Sequence, residues 1–186
     1  MKQTIEAIIN KVWEDNASNW CHELSIDIPE IEIGHGIENG QITSFVTAIA
    51  VCECVDGKLI NHKRIVVASD TITLLLSHYF NNEIPVQFVV EYITHLLAHE
   101  VFHQHQFKNI PDIMASVIFN AGDRSFKALN KHRIEKTEID ADTWAYKKVS
   151  KTTAKFIKTE HDVKPGCNSS INKVIAAASK IKKCFK

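Results

Sequence analysis

The 186-residue chain predicts an α+β fold, with a small mixed or antiparallel sheet packed on one central helix and a mostly helical C-terminal half. Three observations carry that prediction. Between Glu23 and Ser69 apolar residues recur with period two, as in strands with one buried face. From Pro85 to Phe107 apolar and aromatic residues cover a helical wheel almost all round, which marks a helix buried inside a domain. From about Arg124 onward the pattern is helical again.

In chain order, Ile5, Ile8, Ile9, Val12 and Trp13 keep the i, i+3, i+4 spacing of a helix over about Lys2–Asn16, and Asn16–Asn19 reads as its stop. Ile26, Ile28, Ile31 and Ile33 then indicate a short strand interrupted at Pro29. Gly34, Gly36 and Asn39-Gly40 are turn signals. Ile42–Val55 and Lys58–Val67 are strand-like runs separated by Asp56-Gly57, a strong hairpin signal. At least three strands, largely antiparallel, are expected here. Ser69 or Asp70 is placed to cap a helix through Leu74, Leu75 and Leu76 to about Phe80. Pro85 suits the first turn of the central helix. Asn109-Ile-Pro-Asp ends that helix, and Ile113–Phe119 forms a short one. A long helical stretch from about Arg124 to His161 is expected to break near Leu129–Arg133. Pro165-Gly166 precedes a last helix through Val174, Ile175, Ala178 and Ile181. Residues 1–163 are read as one domain, and 164–186 as a basic helix packed on it or appended to it.

Within the central helix lies His99-Glu100-Val101-Phe102-His103, an H-E-x-x-H pattern. Residues four apart on a helix stand one above the other on one face. Two imidazoles so placed reach one Zn²⁺, with the intervening Glu100 placed to take a proton from metal-bound water. Glu138 and Asp142 follow on a predicted helix, also one turn apart. Glu138 can complete a His₂Glu set that leaves one position for water, which is favoured here over a solvated acidic face beside Lys136, Lys147 and Lys148. Asp142 is positioned to accept the free ring N–H of a ligand histidine. His132 is an alternative third ligand, whereas His105 faces away from His103 on a continuous helix. Tyr146, His132 and Arg133 are candidate oxyanion donors. His95, one turn before His99, is read first as a packed core residue and otherwise as a neighbour of the metal or substrate.

H-E-x-x-H followed by E-x-x-x-D, with Ala141 and Ala145 around it, resembles the gluzincin branch of zinc metallopeptidases. Together with Lys63–Ser69 and the leucine-rich helix before the metal helix, the arrangement is similar to SprT-like and ImmA/IrrE-type minimal zincins over about Gln41–Lys148. The resemblance implies a zincin-like fold and a zinc metallopeptidase. It implies His99, His103 and Glu138 as ligands, Glu100 as catalytic base, and a protein or peptide substrate added as a strand to the sheet edge. Phe102 and Gln104 stand where many relatives carry a small and an apolar residue.

Composition sets the remaining limits. Apolar content of 45% and charged content of 24% are ordinary for a globular protein. No signal-like N-terminus and no run of 18 or more apolar residues is found, so an intracellular, cytoplasmic protein without a membrane partner is expected. The five cysteines, Cys21, Cys52, Cys54, Cys167 and Cys184, are odd in number and irregularly spaced, unlike a disulfide framework. Cys52 and Cys54 share one strand face and read as small buried hydrophobes. Net charge is zero, yet residues 146–186 hold eleven lysines against Glu160 and Asp162. That basic end is either the solvated face of helices or an anchor for nucleic acid. Two other functions therefore stand beside the peptidase: a zincin-fold binding or regulatory module, and a DNA-associated protease.

Overall fold

The computed structural model describes residues 2–38, 41–42, 47–56, 58–81, 83–120, 136–162 and 168–185. Helix α1 runs over Lys2–Glu23. It passes the stop expected at Asn16–Asn19, because Ala17, Trp20 and Cys21 continue the buried stripe begun by Ile5, Ile9 and Val12. The Asn16 amide, donating to the Val12 carbonyl at 2.9 Å, is absorbed within the helix.

Strand β1 covers Glu30–Gly34, after Pro29 rather than on both sides of it. Two short strands, β2 (Ile37–Glu38) and β3 (Gln41–Ile42), pair antiparallel. The Asn39-Gly40 turn expected between them lies outside the described residues. The long run expected from Ile42 is therefore represented by β3 and by β4, Ala48–Val55. Strand β5 covers Lys58–Ala68. Val55 pairs with Lys58, which makes β4 and β5 the expected hairpin. Asp56 takes φ 50° at its turn, a left-handed conformation that Asp tolerates better than most residues.

The main sheet has the order β1-β5-β4. β5 is central, parallel to β1 and antiparallel to β4, so the sheet is mixed rather than largely antiparallel. The parallel pair follows from the chain path: β1 and β5 are separated by the β2–β3 turn and the β4 hairpin arm, a connection long enough to bring β5 back in the same direction. Ala48, Ala50, Ile65 and Val67 point into the core, while Ile49 between the two alanines is exposed.

Helix α2 (Ser69–Phe80) starts directly from β5. Ala68, not Ser69 or Asp70, occupies the cap position, and no side chain caps the helix. Ser69 instead donates from a fully buried hydroxyl to Glu6 of α1 at 3.0 Å, and Asp70 accepts from the Gly36 and Thr71 N–H groups. Helix α3 (Val86–Asn109) is the central one. It is followed by α4 (Pro111–Asn120) and by α5 (Lys136–Ala145). A 3₁₀ turn at Tyr146–Lys148 ends α5, and α6 (Lys151–His161) begins anew with Ser150 as its N-cap. The long C-terminal helix thus breaks at Val149-Ser150. The break expected at Leu129–Arg133 lies outside the described residues, as does Pro165-Gly166. Helix α7 spans Asn168–Cys184.

A main core unites most of these elements, and Ala50, Phe107 and Met114 form a second, smaller cluster between β4, α3 and α4. Ile5 and Ile9 of α1, Ile65 of β5, Leu76 of α2, Ile93 and Leu97 of α3, Ile157 of α6, and Val174 and Ile181 of α7 belong to a single buried cluster. Each aliphatic side chain so buried contributes about 1.5–3 kcal/mol. Phe80, Phe88 and Phe156 meet with ring centroids 4.9–5.6 Å apart and join α2, α3 and α6. The lysines of α7 stay on its outer side: Lys173, Lys180 and Lys183 are exposed, and Lys182 pairs with Glu83 at 2.9 Å. Among the described residues no helix is long and apolar enough to cross a membrane. The architecture is α+β, as the sequence pattern predicts.

Candidate metal centre

Helix α3 is 24 residues long and buried along most of its length. Its N-terminal half is apolar and anchors it, through Phe88, Val89, Tyr92 and Ile93, to the aromatic core. The same face then carries His95, His99 and His103 at successive turns. Phe102 points elsewhere. Its ring lies 5.8 Å from that of Trp144, so its bulk fills the seam between α3 and α5. Gln104 turns to the sheet, where its amide donates to the Arg64 carbonyl of β5 at 3.2 Å. His105 faces away from the site, with Nδ1 3.0 Å from the Leu24 carbonyl.

Helix α5 crosses α3 at the two histidines, and it brings Glu138 to them. His99 Nε2 is 3.4 Å from Glu138 Oε2, His103 Nε2 is 3.2 Å from Glu138 Oε1, and the two Nε2 atoms are 2.9 Å apart. Four ligands bound at 2.0–2.1 Å around a tetrahedral ion stand about 3.3 Å from one another. The three distances bracket that value. His99, His103 and Glu138 therefore form a cluster that could hold a metal ion.

The hydrogen bonds behind the ring atoms show which way the lone pairs point. Gln106 donates from Nε2 to the Thr137 carbonyl at 2.8 Å. A carbonyl only accepts, so the amide oxygen of Gln106 is turned to His103, 2.6 Å from its Nδ1. His103 must therefore carry its proton on Nδ1. His99 Nδ1 is 2.9 Å from Asp142 Oδ1, and the carboxylate likewise accepts a hydrogen bond from the Nδ1–H. Both imidazoles thus turn Nε2 toward the carboxylate of Glu138. Such a convergence of acceptors is repulsive unless a cation or a proton sits among them. Burial works against charge on His99. The hydrogen bonds to Asp142 and Glu138 and the charge of Glu100 overcome it and raise its pKa to about 10.

Glu100 lies on the side of α3 that faces the sheet and is buried. Its Oε2 accepts the Ala50 N–H at 2.6 Å. The register explains why that donor is free. Ala68 N donates to Thr47 O at 2.9 Å, which makes Thr47 and Ala68 a hydrogen-bonded pair of the ladder, and Ala50, opposite Ile65, falls on a non-bonded pair whose N–H points away from β5. Ala48 and Ala50 are small enough to let α3 approach this outer edge of β4.

Asp142 gathers a second set of groups on the Nδ1 side of His99. Tyr146 donates to its Oδ2 at 3.4 Å, His161 Nδ1 lies 3.2 Å from the same oxygen, and His95 Nε2 is 3.6 Å from Oδ1. Burial works against the Asp142 anion, but hydrogen bonds from His161 and His99 outweigh it and hold the carboxyl well below the usual carboxylate range. His95 is fully buried, stacks on Tyr146 with centroids 4.8 Å apart, and has no hydrogen-bond partner on either nitrogen. Burial pushes its pKa down to about 3; Asp142 opposes that shift, and His99 and His161 add to it. His95 is thus buried beside His99, Tyr146 and Asp142.

Tyr146 and His95 stand behind His99, whereas an oxyanion donor has to reach the Nε2 side. His132 and Arg133 lie outside the described residues. The structure adds three participants that the sequence reading lacks: Gln106, His161 and the Ala50 N–H. Gln106 was within reach of the pattern, since it stands three residues after His103 on the same helix face. His161, 19 residues beyond Asp142, and a backbone N–H leave no such signal.

No protein-family model, no curated protein and no solved structure matches the chain.

Proposed function

We propose that the chain is a zinc-dependent metallopeptidase of zincin type, with His99, His103 and Glu138 as ligands and Glu100 as general base. The observation that carries this reading is the convergence of two Nε2 atoms and one carboxylate at near-tetrahedral spacing, with both Nδ1 protons committed elsewhere. Two imidazoles and one carboxylate are the donor set of catalytic rather than structural zinc, because they leave a coordination position open. Zinc held there lowers the pKa of a coordinated water toward 7 and polarises a carbonyl.

The chain's own residues supply the rest. Glu100 takes a proton from the attacking water and hands it to the departing amine. The Ala50 N–H holds one oxygen of Glu100 and leaves the other for that exchange. Asp142, kept ionised, stabilises the His99 tautomer that ligates through Nε2. β4, beside Glu100, is a terminal strand of the described sheet, and an extended peptide would add along it.

The test is metal content and cleavage in two variants. The parent chain is expected to bind about one zinc, His99→Ala to lose it, and Glu100→Gln to keep zinc and fold while losing cleavage of a mixed peptide library. A glutamine retains an acceptor for the Ala50 N–H, so the fold should survive. Absence of zinc in the parent, or full cleavage by Glu100→Gln, would refute the assignment.

A further inference from the structure

We infer that Gln106 is a positioning residue for metal binding, acting on two ligands through one amide group. The inference rests on the metal reading of the His99–His103–Glu138 cluster and concerns how its affinity is set.

Gln106 is buried, 3% exposed, on the last turns of α3. Its oxygen faces His103 Nδ1 at 2.6 Å and its nitrogen donates to the Thr137 carbonyl at 2.8 Å. Thr137 is the residue before Glu138. The same planar group therefore holds the second ligand in its Nδ1–H tautomer and fixes the start of the helix that delivers the third.

An amide is the side chain suited to both tasks. A carboxylate accepts from His103 but has nothing to give the Thr137 carbonyl. A lysine reverses the problem. An alanine leaves the His103 Nδ1–H and the Thr137 carbonyl without these partners in a buried place, and the imidazole is then free to move its proton to Nε2, where it blocks ligation. Asp142 does the corresponding work for His99 with a full charge. Gln106 does it for His103 without adding charge, so the site carries one anionic supporting group rather than two. The two α3 ligands are thus held by partners of different chemistry, and only the neutral one also reaches the backbone beside Glu138.

The experiment uses the full chain, stripped of metal and titrated with Zn²⁺ against a chromophoric chelator, together with long-range ¹H–¹⁵N spectra of the imidazoles before zinc is added. Gln106→Ala is expected to weaken zinc binding 10- to 100-fold and to shift His103 toward the Nε2–H tautomer, while the ring nitrogens of His99 stay as in the parent. Gln106→Glu is expected to restore the Nδ1–H tautomer of His103 and only part of the affinity, because the Thr137 bond stays broken. His99 serves as the internal control. A residue of merely structural weight would disturb both rings together, and that result overturns the inference. So does zinc affinity within twofold of the parent in Gln106→Ala, or a His103 tautomer that does not change. If the parent itself fails to bind zinc, the metal reading fails. The hold of Gln106 on His103 is then decided by the tautomers alone, with an unchanged His103 in Gln106→Ala refuting it.

Discussion

Replacing His95 with leucine should make the protein more resistant to acid. His95 is fully buried, lacks a hydrogen-bond partner on either nitrogen, and lies among Tyr146, His99, His161 and Asp142. Its pKa falls from 6.5 to about 3, first because burial disfavours the cation. The linkage has a definite sign. Below pH 6.5 the unfolded chain takes up a proton that the folded chain refuses, so stability drops as pH falls from 6.5 towards 3. Integrated to pH 5, the loss from this one group is about 2 kcal/mol. Leucine has nearly the volume of histidine, carries no proton site and adds no polar atom to the pocket. At pH 8 the variant should match the parent within about 1 kcal/mol or exceed it, since two orphan nitrogens are removed. At pH 5 the gap should widen by a further ~2 kcal/mol in the variant's favour. Urea unfolding at the two pH values, with chelator present to keep metal out of the comparison, measures it directly. Parallel loss of stability in parent and His95→Leu between pH 8 and 5 would refute the reasoning.

Two further outcomes test the groups around the cluster. Asp142→Asn should keep the fold but lower zinc affinity 10- to 100-fold in a chelator competition, because a neutral amide accepts the His99 Nδ1–H more weakly than the carboxylate does; unchanged affinity would remove Asp142 from the site. Ala50→Pro deletes the N–H that anchors Glu100 at a strand edge, where proline is tolerated. Zinc stoichiometry should persist while cleavage falls roughly ten- to hundredfold, the worth of one hydrogen bond to a charged group; cleavage at the parental rate would show that this bond does not orient Glu100.

Much of the fold was legible because periodicity is a local property. The hairpin at Asp56-Gly57, the buried central helix and the amphipathic last helix each followed from spacing alone. Elements went wrong where a distant partner decided. Helix α1 continues past Asn16 because Trp20 and Cys21 find a core built by α3 and β5. Ser69 does not cap α2, because Glu6, 63 residues earlier, takes its hydroxyl. The parallel pairing of β1 with β5 depends on where the chain returns, and no window of residues reports that.

For the candidate site the division is similar. Residues from His99 to His103, and the pair Glu138 and Asp142, stand out in the sequence because a helix brings residues four apart onto one face. That rule operates within each helix and needs nothing else. The meeting of the two helices is decided by packing, which lays α5 across α3 with Glu138 beside the two Nε2 atoms and Asp142 behind one of the rings. The direction of the lone pairs was decided further out still, by the Gln106 bridge to the Thr137 carbonyl, and the anchoring of Glu100 by the register of β4 on β5. Sequence determined which donors the chain owns and how they repeat along a helix. Tertiary structure decided which of them face one another, because hydrogen bonds and burial between distant segments, unlike helical spacing, are settled only when the elements pack.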